Sequence, residues 1–364
     1  MRAIRELSLA SSLLLAGLAL FFGGGPSDGS IAWLGAAAVL AILALLVTQG
    51  APGGWTAIVP FALLAVWCAI SISWSWLPDR SWDYANRTAV YALFAALGLW
   101  VAARTRELAL GLAVLLGAVI VWSLLGKVLP VVYDYGGPDV TRLRGPIGLW
   151  NQLALASDFA LVLALALRRR LGVVLAYVAL VALLLTYSRG GLATAALVVV
   201  LWLVYGDDRV ESAVCLLAAA VPAALVVGIA FALPGVTSDS QSGHVRWRDG
   251  IVFGVCLLAG AAAAAAIERV PRLREARLLR RTGGAVALAV VAAAVVLLAV
   301  HGFGSGTPGN TGSRFVSTSS NFRLTWWAQA WHGFRDHPLA GTGAGSFHLL
   351  NLRFRKIFGR HDAT

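Results

Sequence analysis

The chain has 364 residues, of which 59% are hydrophobic and only 13% are charged. Soluble domains carry about 25% charged residues, so this composition excludes an ordinary soluble domain and indicates a polytopic membrane protein. The formal net charge of +12 does not indicate a nucleic-acid partner, because arginines at the cytoplasmic ends of membrane spans produce the same excess. The three cysteines lie inside apolar blocks and are typical of small core residues rather than of a disulfide or metal framework: Cys68, Cys215 and Cys256.

Eleven apolar blocks predict transmembrane helices, because a helix needs about 20 mainly apolar residues to cross the hydrocarbon core. In chain order they are residues 7–22, 31–48, 55–75, 84–102, 108–129, 151–167, 171–187, 191–205, 212–233, 250–267 and 283–301. The first block follows two arginines and resembles a signal peptide. We predict that it is a retained helix, because its removal would disturb the alternation of charge between the two sides of the membrane.

The arginines predict the orientation of these spans. With the N-terminus in the cytoplasm, fourteen arginines fall in cytoplasmic segments and six in the short outer loops. Cytoplasmic segments of membrane proteins carry such an excess, so we place the protein in the cytoplasmic (inner) membrane with residues 302–364 outside. All six histidines then lie on or near the outer side, which is where any chemistry is expected.

The chain divides into a transmembrane helix bundle, residues 1–301, and a polar extracytoplasmic segment, residues 302–364. Residues 321–336 predict an amphipathic helix, because Leu324, Trp327, Trp331 and Phe334 fall on one helical face, and such a helix lies along the membrane surface. The predicted fold class is therefore an all-α polytopic membrane protein with about eleven transmembrane helices and a C-terminal interfacial helix. No closing span follows, which predicts a C-terminally truncated polypeptide.

Three short motifs lie on the predicted outer side. Residues 144–154 read RGPIGLWNQLA, residues 186–191 read TYSRGG, and residues 323–327 (RLTWW) are followed by HPLAGTG at 337–343. In this order, ahead of and within a large outer segment, they resemble the O-antigen ligase and polymerase family of membrane glycosyltransferases. The resemblance covers about residues 55–364.

The resemblance implies a bundle of about twelve helices with a long periplasmic loop late in the chain. It also implies an activity in polysaccharide and lipopolysaccharide biosynthesis of the cell envelope. In that reaction a glycan moves from undecaprenyl diphosphate to an acceptor hydroxyl, without a nucleotide sugar. The implied partners are the lipid-linked glycan, a lipid or glycan acceptor and membrane lipids, with no nucleic acid. No cofactor or metal is expected.

The site residues follow from the motifs. The chemistry needs cations that stabilise charge on the leaving diphosphate, and a base for the acceptor proton. We predict that Arg189, Arg323 and Arg144 bind the diphosphate, because guanidinium groups match phosphate oxygens. Family members carry a functional histidine late in the loop, and His361 lies near that place as the predicted catalytic base. The predicted supporting residues are Asp158, Asn151, Trp327, His337, Gly341 and Gly343.

Each of these roles has an alternative. Arg189, on a tight glycine-assisted turn, could instead be an arginine that extends to the membrane surface. Arg142 and Arg144 could form a solvated or lipid-phosphate face. Asp158, about 10 Å into its span at 1.5 Å per residue, is either a functional carboxylate or a structural partner of an arginine such as Arg144. The glycines from Gly341 to Gly345 indicate a tight turn rather than a dinucleotide loop, because no βαβ pattern surrounds them.

Three alternative functions remain open. A surface-polysaccharide polymerase would use the same donor with a different acceptor. A transporter would need buried charges in its spans, for which Asp158 is a candidate, but no inverted repeat or pair of broken helices is visible. An inactive truncated remnant is the third possibility.

Overall fold

The structure, a computed structural model, describes residues 2–21, 23, 28–132, 142–167, 169–206, 209–239, 241–267 and 323–358. These residues form helices and turns, and no strand occurs among them, which confirms the predicted all-α fold. The predicted eleventh span, residues 283–301, lies outside the described residues.

The helices of the described residues are numbered in chain order. They are α1 (Arg2–Phe21), α2 (Asp28–Gln49), α3 (Val59–Ser71), α4 (Pro78–Val101), α5 (Thr105–Val128), α6 (Trp150–Leu167), α7 (Arg169–Leu185), α8 (Arg189–Tyr205), α9 (Arg209–Phe231), α10 (Pro234–Thr237), α11 (Gly243–Ile267), α12 (Arg323–Asp336) and α13 (Phe347–Phe358). Two short 3₁₀ turns, Trp55–Ile58 and Ile72–Trp74, extend α3 at its two ends.

Six segments are long and apolar enough to cross a membrane: Gly29–Gln49, Trp55–Trp74, Thr105–Val128, Trp150–Leu167, Arg209–Phe231 and Gly243–Ala266. Shorter apolar helices occupy Glu6–Phe21, Arg170–Leu185 and Arg189–Tyr205. These segments support a multi-pass membrane protein. The number of eleven spans stays a prediction.

The chain forms two compact units. The first contains most of α1 together with α2, α3, α4, α12 and α13. Within it α4 packs against both α2 and α3, and a small apolar core is formed by Leu15, Ala38, Leu45 and Leu97. The C-terminal helices, α12 and α13, therefore belong to the same unit as the first spans.

The second unit contains α5 to α11 and holds the larger apolar core. Its central element is α7, which packs against α6, α9 and α11 and is apolar on nearly all sides, as expected of a buried helix. Tyr177 is the largest side chain buried there, and its hydroxyl donates to the carbonyl of Leu257 on α11 at 2.9 Å. This bond satisfies the one polar atom that the ring brings into the core.

Candidate functional site

The turn between α7 and α8 is built by Thr186, Tyr187 and Ser188. Tyr187 has φ 53, in the left-handed region, and Ser188 is the N-cap of α8. The Ser188 hydroxyl accepts the N–H of Gly191 at 3.2 Å and donates to Oδ1 of Asn151 at 3.0 Å. The cap therefore satisfies one of the unpaired N–H groups of α8 and ties this helix to the start of α6.

The two glycines of this motif do not form the turn, so the expected glycine-assisted turn was wrong in that respect. Both lie inside α8, and the left-handed residue is Tyr187. A Cβ at Gly191 would lie 2.6 Å from Cβ of Ala154 on α6, whereas a Cβ at Gly190 would meet no atom within 4 Å. Gly191 is thus needed for the close approach of α8 to α6.

Arg142 supports the same turn from the loop before α6. Its Nε donates to the carbonyl of Thr186 at 3.1 Å and its terminal NH2 donates to the carbonyl of Tyr187 at 3.3 Å. The guanidinium also lies 3.9 Å from the centre of the Trp150 ring, a cation–π distance. The interpretation of Arg142 as a solvated or lipid-phosphate residue was wrong, because its donors are directed at backbone carbonyls within the protein.

Arg189 is the first residue of α8 and is half-buried. A helix N-terminus carries partial positive charge and favours anions, so the turn brings the guanidinium to the positive end of a 17-residue helix. A guanidinium group at a helix N-terminus is chemically suited to an anion such as phosphate. The role of Arg189 as a diphosphate ligand stays a prediction.

Asp158 lies on α6 and is 3% exposed. Neither of its carboxylate oxygens has a hydrogen-bond partner among the described residues, so the structural alternative in which it pairs with Arg144 is not found. Arg144 is half-buried, and its positive charge repels that of Lys127 at the end of α5.

In the first unit, the glycine-rich loop 340–346 binds to the segment between α3 and α4 and to the first turn of α4. Trp74 Nε1 donates to the carbonyl of Ala340 at 3.0 Å, the backbone N–H of Trp76 donates to Thr342 at 3.0 Å, and the Ser81 hydroxyl donates to Ala344 at 2.8 Å.

The glycines of this loop have left-handed backbones, which confirms the predicted tight turn: Gly341 (φ 63), Gly343 (φ 96) and Gly345 (φ 76). A Cβ at Gly343 would overlap Ser75, whereas a Cβ at Gly341 would meet nothing within 4 Å. Two constraints therefore require glycine at position 343: its left-handed dihedral angle and the lack of space for a Cβ.

His337 lies next to this docked loop. Its ring meets that of Trp76 edge-on at 5.7 Å, and Arg353, which pairs with Asp336 at 3.3 Å, lies 5.6 Å from the same Trp76 ring. The histidine is thereby fixed in a polar and aromatic cluster that also contains an ion pair.

The predicted amphipathic helix is α12, whose described part begins at Arg323. Its apolar face is exposed, with relative exposures between 51% and 68% for Leu324, Trp327, Trp331 and Phe334. The opposite face contacts α13, where Asn351 donates to Gln329 at 2.8 Å. Arg323 is exposed, and His361 lies outside the described residues.

Sequence reasoning missed three contributors to these sites. Trp76 was given no role at these sites, and Ser188 was not recognised as a cap, although a serine before a helical block is a usual cap signal. Lys127 was also missed, although it is one of two lysines in the chain and lies in an apolar span. No group of three or more His, Cys, Asp or Glu side chains that could hold a metal ion occurs in the described ranges.

The helices and these sites define a multi-pass membrane protein with cationic and aromatic side chains at the ends of its helices. Residues 248–362 match the family model described as O-antigen ligase. This match confirms, for that region, the predicted resemblance to the O-antigen ligase family. The region includes most of α11 together with α12, the loop 340–346 and α13. No curated protein and no solved structure matches the chain.

Proposed function

We propose that this protein is an O-antigen ligase-type membrane glycosyltransferase. It transfers a glycan from undecaprenyl diphosphate to an acceptor hydroxyl on the outer face of the cytoplasmic membrane. The observation that carries the proposal is the family match over residues 248–362, in a multi-pass membrane protein. The position of Arg189 at the N-terminus of α8 supports the assignment of the donor.

In the proposed reaction, the bond between the anomeric carbon and the terminal phosphate oxygen breaks. The acceptor oxygen forms the new bond to that carbon, and its proton passes to a base. Negative charge grows on the leaving undecaprenyl diphosphate, so a positioned cation lowers the barrier. We assign this role to Arg189, with Arg144 as a further diphosphate ligand. Arg323, on the first unit, stays a sequence-based prediction for the same role, and so does His361 for the base.

The remaining parts of the reaction need apolar surface. The prenyl chain of the donor requires contact with apolar helix faces, which the Ala- and Leu-rich spans supply. The exposed face of α12, with Trp327 and Trp331, has the composition of helices that lie at the membrane interface. In this proposal α12 rests at the level of the lipid head groups.

The test is a transfer assay with the full chain in proteoliposomes, supplied with labelled polyprenyl-diphosphate glycan and candidate acceptors. Removal of one charge-stabilising donor typically costs about 10²–10³ in rate, so Arg189→Ala should lose transfer by that factor. Arg189→Lys should also fail largely, because a point charge does not replace the guanidinium fork. Arg209→Ala is the matched control, because Arg209 is likewise the first residue of its helix, α9.

The outcomes discriminate between the candidate functions. Growth of the labelled glycan on a second lipid-linked glycan would identify a polymerase, and transfer to a different lipid acceptor would identify a ligase. Parental transfer by Arg189→Ala, at equal membrane abundance, would exclude Arg189 as a donor ligand.

A further inference from the structure

A buried lysine lies at the end of α5. Lys127 is 7% exposed, and its Nζ donates to the carbonyl of Val236 in α10 at 2.9 Å. Removing an ammonium group from water is costly unless charged or polar groups compensate for the lost hydration. The groups around Lys127 therefore decide how the charge of its ammonium group is compensated.

Two of the charged groups near Lys127 are also cations. The ammonium group interacts electrostatically with Arg246 and Arg144, which repel it, and with Asp239, which attracts it. The Nε atom of Arg246 is buried and has no hydrogen-bond partner among the described residues. The charges of Arg246 and Arg144 and the carboxylate of Asp239 thus all act on Lys127.

The other nearby carboxylate is committed elsewhere. Asp249 accepts the backbone N–H of Gly235 at 2.8 Å through Oδ2, and the Nε of Arg248 at 2.9 Å through Oδ1. It is 1% exposed. Asp249 therefore anchors α10 and pairs with Arg248.

The backbone around the cluster is closely packed. A Cβ at Gly235 would lie 2.9 Å from Cα of Arg246, and one at Gly250 would lie 2.8 Å from the carbonyl oxygen of Lys127. These contacts bring α10 and α11 against the end of α5. The backbone positions of Lys127 and Arg246 are thus set by helix packing.

We propose that Lys127, Arg246 and Arg144 form a binding site for a phosphate-type oxyanion at the junction of α5, α10 and α11. An oxyanion there would offset the repulsion between the cations and provide an acceptor for the Nε–H of Arg246. Arg144 connects this site to the turn between α7 and α8, because the preceding residue, Leu143, donates its N–H to the carbonyl of Leu185 at 3.0 Å. Two sources supply this chemistry: the diphosphate of a prenyl carrier and the head group of an anionic phospholipid.

The carrier as ligand rests on the proposed function, in which Arg144 binds the donor diphosphate, but the test measures binding and not glycan transfer, so the two can fail separately. The full chain is purified in a maltoside detergent, which contains no phosphate, and titrated with farnesyl diphosphate or with phosphatidylglycerol. Farnesol is the uncharged control ligand. Binding is followed by native mass spectrometry and by the ligand-induced shift of the unfolding temperature. The variants are Lys127→Met and Arg246→Gln, with Arg209→Gln as the control at the opposite end of α9 from α10.

We expect Lys127→Met and Arg246→Gln to bind at least one phosphate probe about tenfold more weakly or worse, the usual effect of losing a charged hydrogen-bond partner. Arg209→Gln should bind as the unmodified chain does. Loss confined to farnesyl diphosphate identifies the carrier as the ligand, and loss confined to phosphatidylglycerol identifies the lipid head group. If Lys127→Met does not fold, ligand binding by Arg246→Gln alone tests the proposal, because this variant keeps the hydrogen bond between Lys127 and Val236. Affinities within twofold of the unmodified chain for both probes would overturn the proposal.

Discussion

Ser188 and Asn151 are joined by a hydrogen bond of 3.0 Å that links two motifs separated by 37 positions in the chain. Ser188 caps α8, and Asn151 lies in the first turn of α6. The bond fixes the start of α8, and with it Arg189, relative to α6. The two motifs on which the family resemblance was based therefore form a single structural unit.

Ser188→Ala should destabilise the second unit by about 1 kcal/mol, because it removes both the cap of α8 and the bond to Asn151. Asn151→Ala should cost less, since the cap remains. In the double variant the two losses should not add, because both changes remove the same bond. Unfolding of the three variants in detergent measures this coupling. Thr194→Ala is the control, because that exposed threonine on α8 bonds only within its own helix. Additive losses would show that the Ser188–Asn151 bond contributes nothing to stability.

Gly191→Ala should destabilise the contact of α8 with α6, because its Cβ would lie 2.6 Å from Cβ of Ala154. Overpacking of this kind typically costs about 1–3 kcal/mol. Gly190→Ala should instead be neutral or stabilising by up to about 1 kcal/mol, because its Cβ meets nothing and alanine favours the helix. The unfolding temperatures of the two variants provide the comparison. Ala154→Gly added to Gly191→Ala should restore part of the loss, and equal behaviour of the two alanine variants would contradict the packing argument.

Arg142→Lys should destabilise the α7–α8 turn nearly as much as Arg142→Ala. A lysine cannot donate in the same planar geometry to the carbonyls of Thr186 and Tyr187 while stacking on Trp150. Hydrogen exchange at residues 185–189 should rise in both variants. The control is Arg106→Lys, at an exposed position in the first turns of α5. If hydrogen exchange is unchanged in Arg142→Lys but rises in Arg142→Ala, the positive charge alone stabilises the turn.

Asp158→Asn should leave the stability unchanged or raise it. The carboxylate oxygens of Asp158 accept no hydrogen bond among the described residues, and an unpaired polar or charged group inside a membrane span is costly. Asp249→Asn is the matched comparison and should destabilise, because Asp249 accepts from Gly235 and from Arg248. Unfolding in detergent measures both. A large loss of stability in Asp158→Asn would reveal a partner for that carboxylate.

Gly343→Ala should release the loop 340–346 from the segment between α3 and α4. Its φ of 96 disfavours any Cβ, and the added atom would overlap Ser75. Gly341→Ala has the backbone strain without the clash, so it should be milder. Hydrogen exchange at the N–H of Trp76, which bonds the carbonyl of Thr342, reports on the docking. Equal exchange in the two variants would mean that the contact with Ser75 does not hold the loop.

The sequence by itself determined the all-α membrane fold, because blocks of apolar residues of membrane-spanning length need no tertiary information to be recognised. It also indicated the O-antigen ligase resemblance and the tight turn at Gly341 and Gly343, since both depend on residues that are neighbours in the chain. The positions of long-range partners could not be read in this way.

Only the tertiary structure decided which charged groups serve the fold and which remain candidates for a ligand. Arg142 and Arg144 are two positions apart and shared the alternative interpretation of a solvated or lipid-phosphate face, yet Arg142 bonds the α7–α8 turn and Arg144 acts on Lys127. The same holds for Asp158 and Asp249, of which only the second has hydrogen-bond partners among the described residues. The physical reason is that the free energy of a buried charge depends on groups within a few ångströms, and in a helix bundle those groups come from other helices.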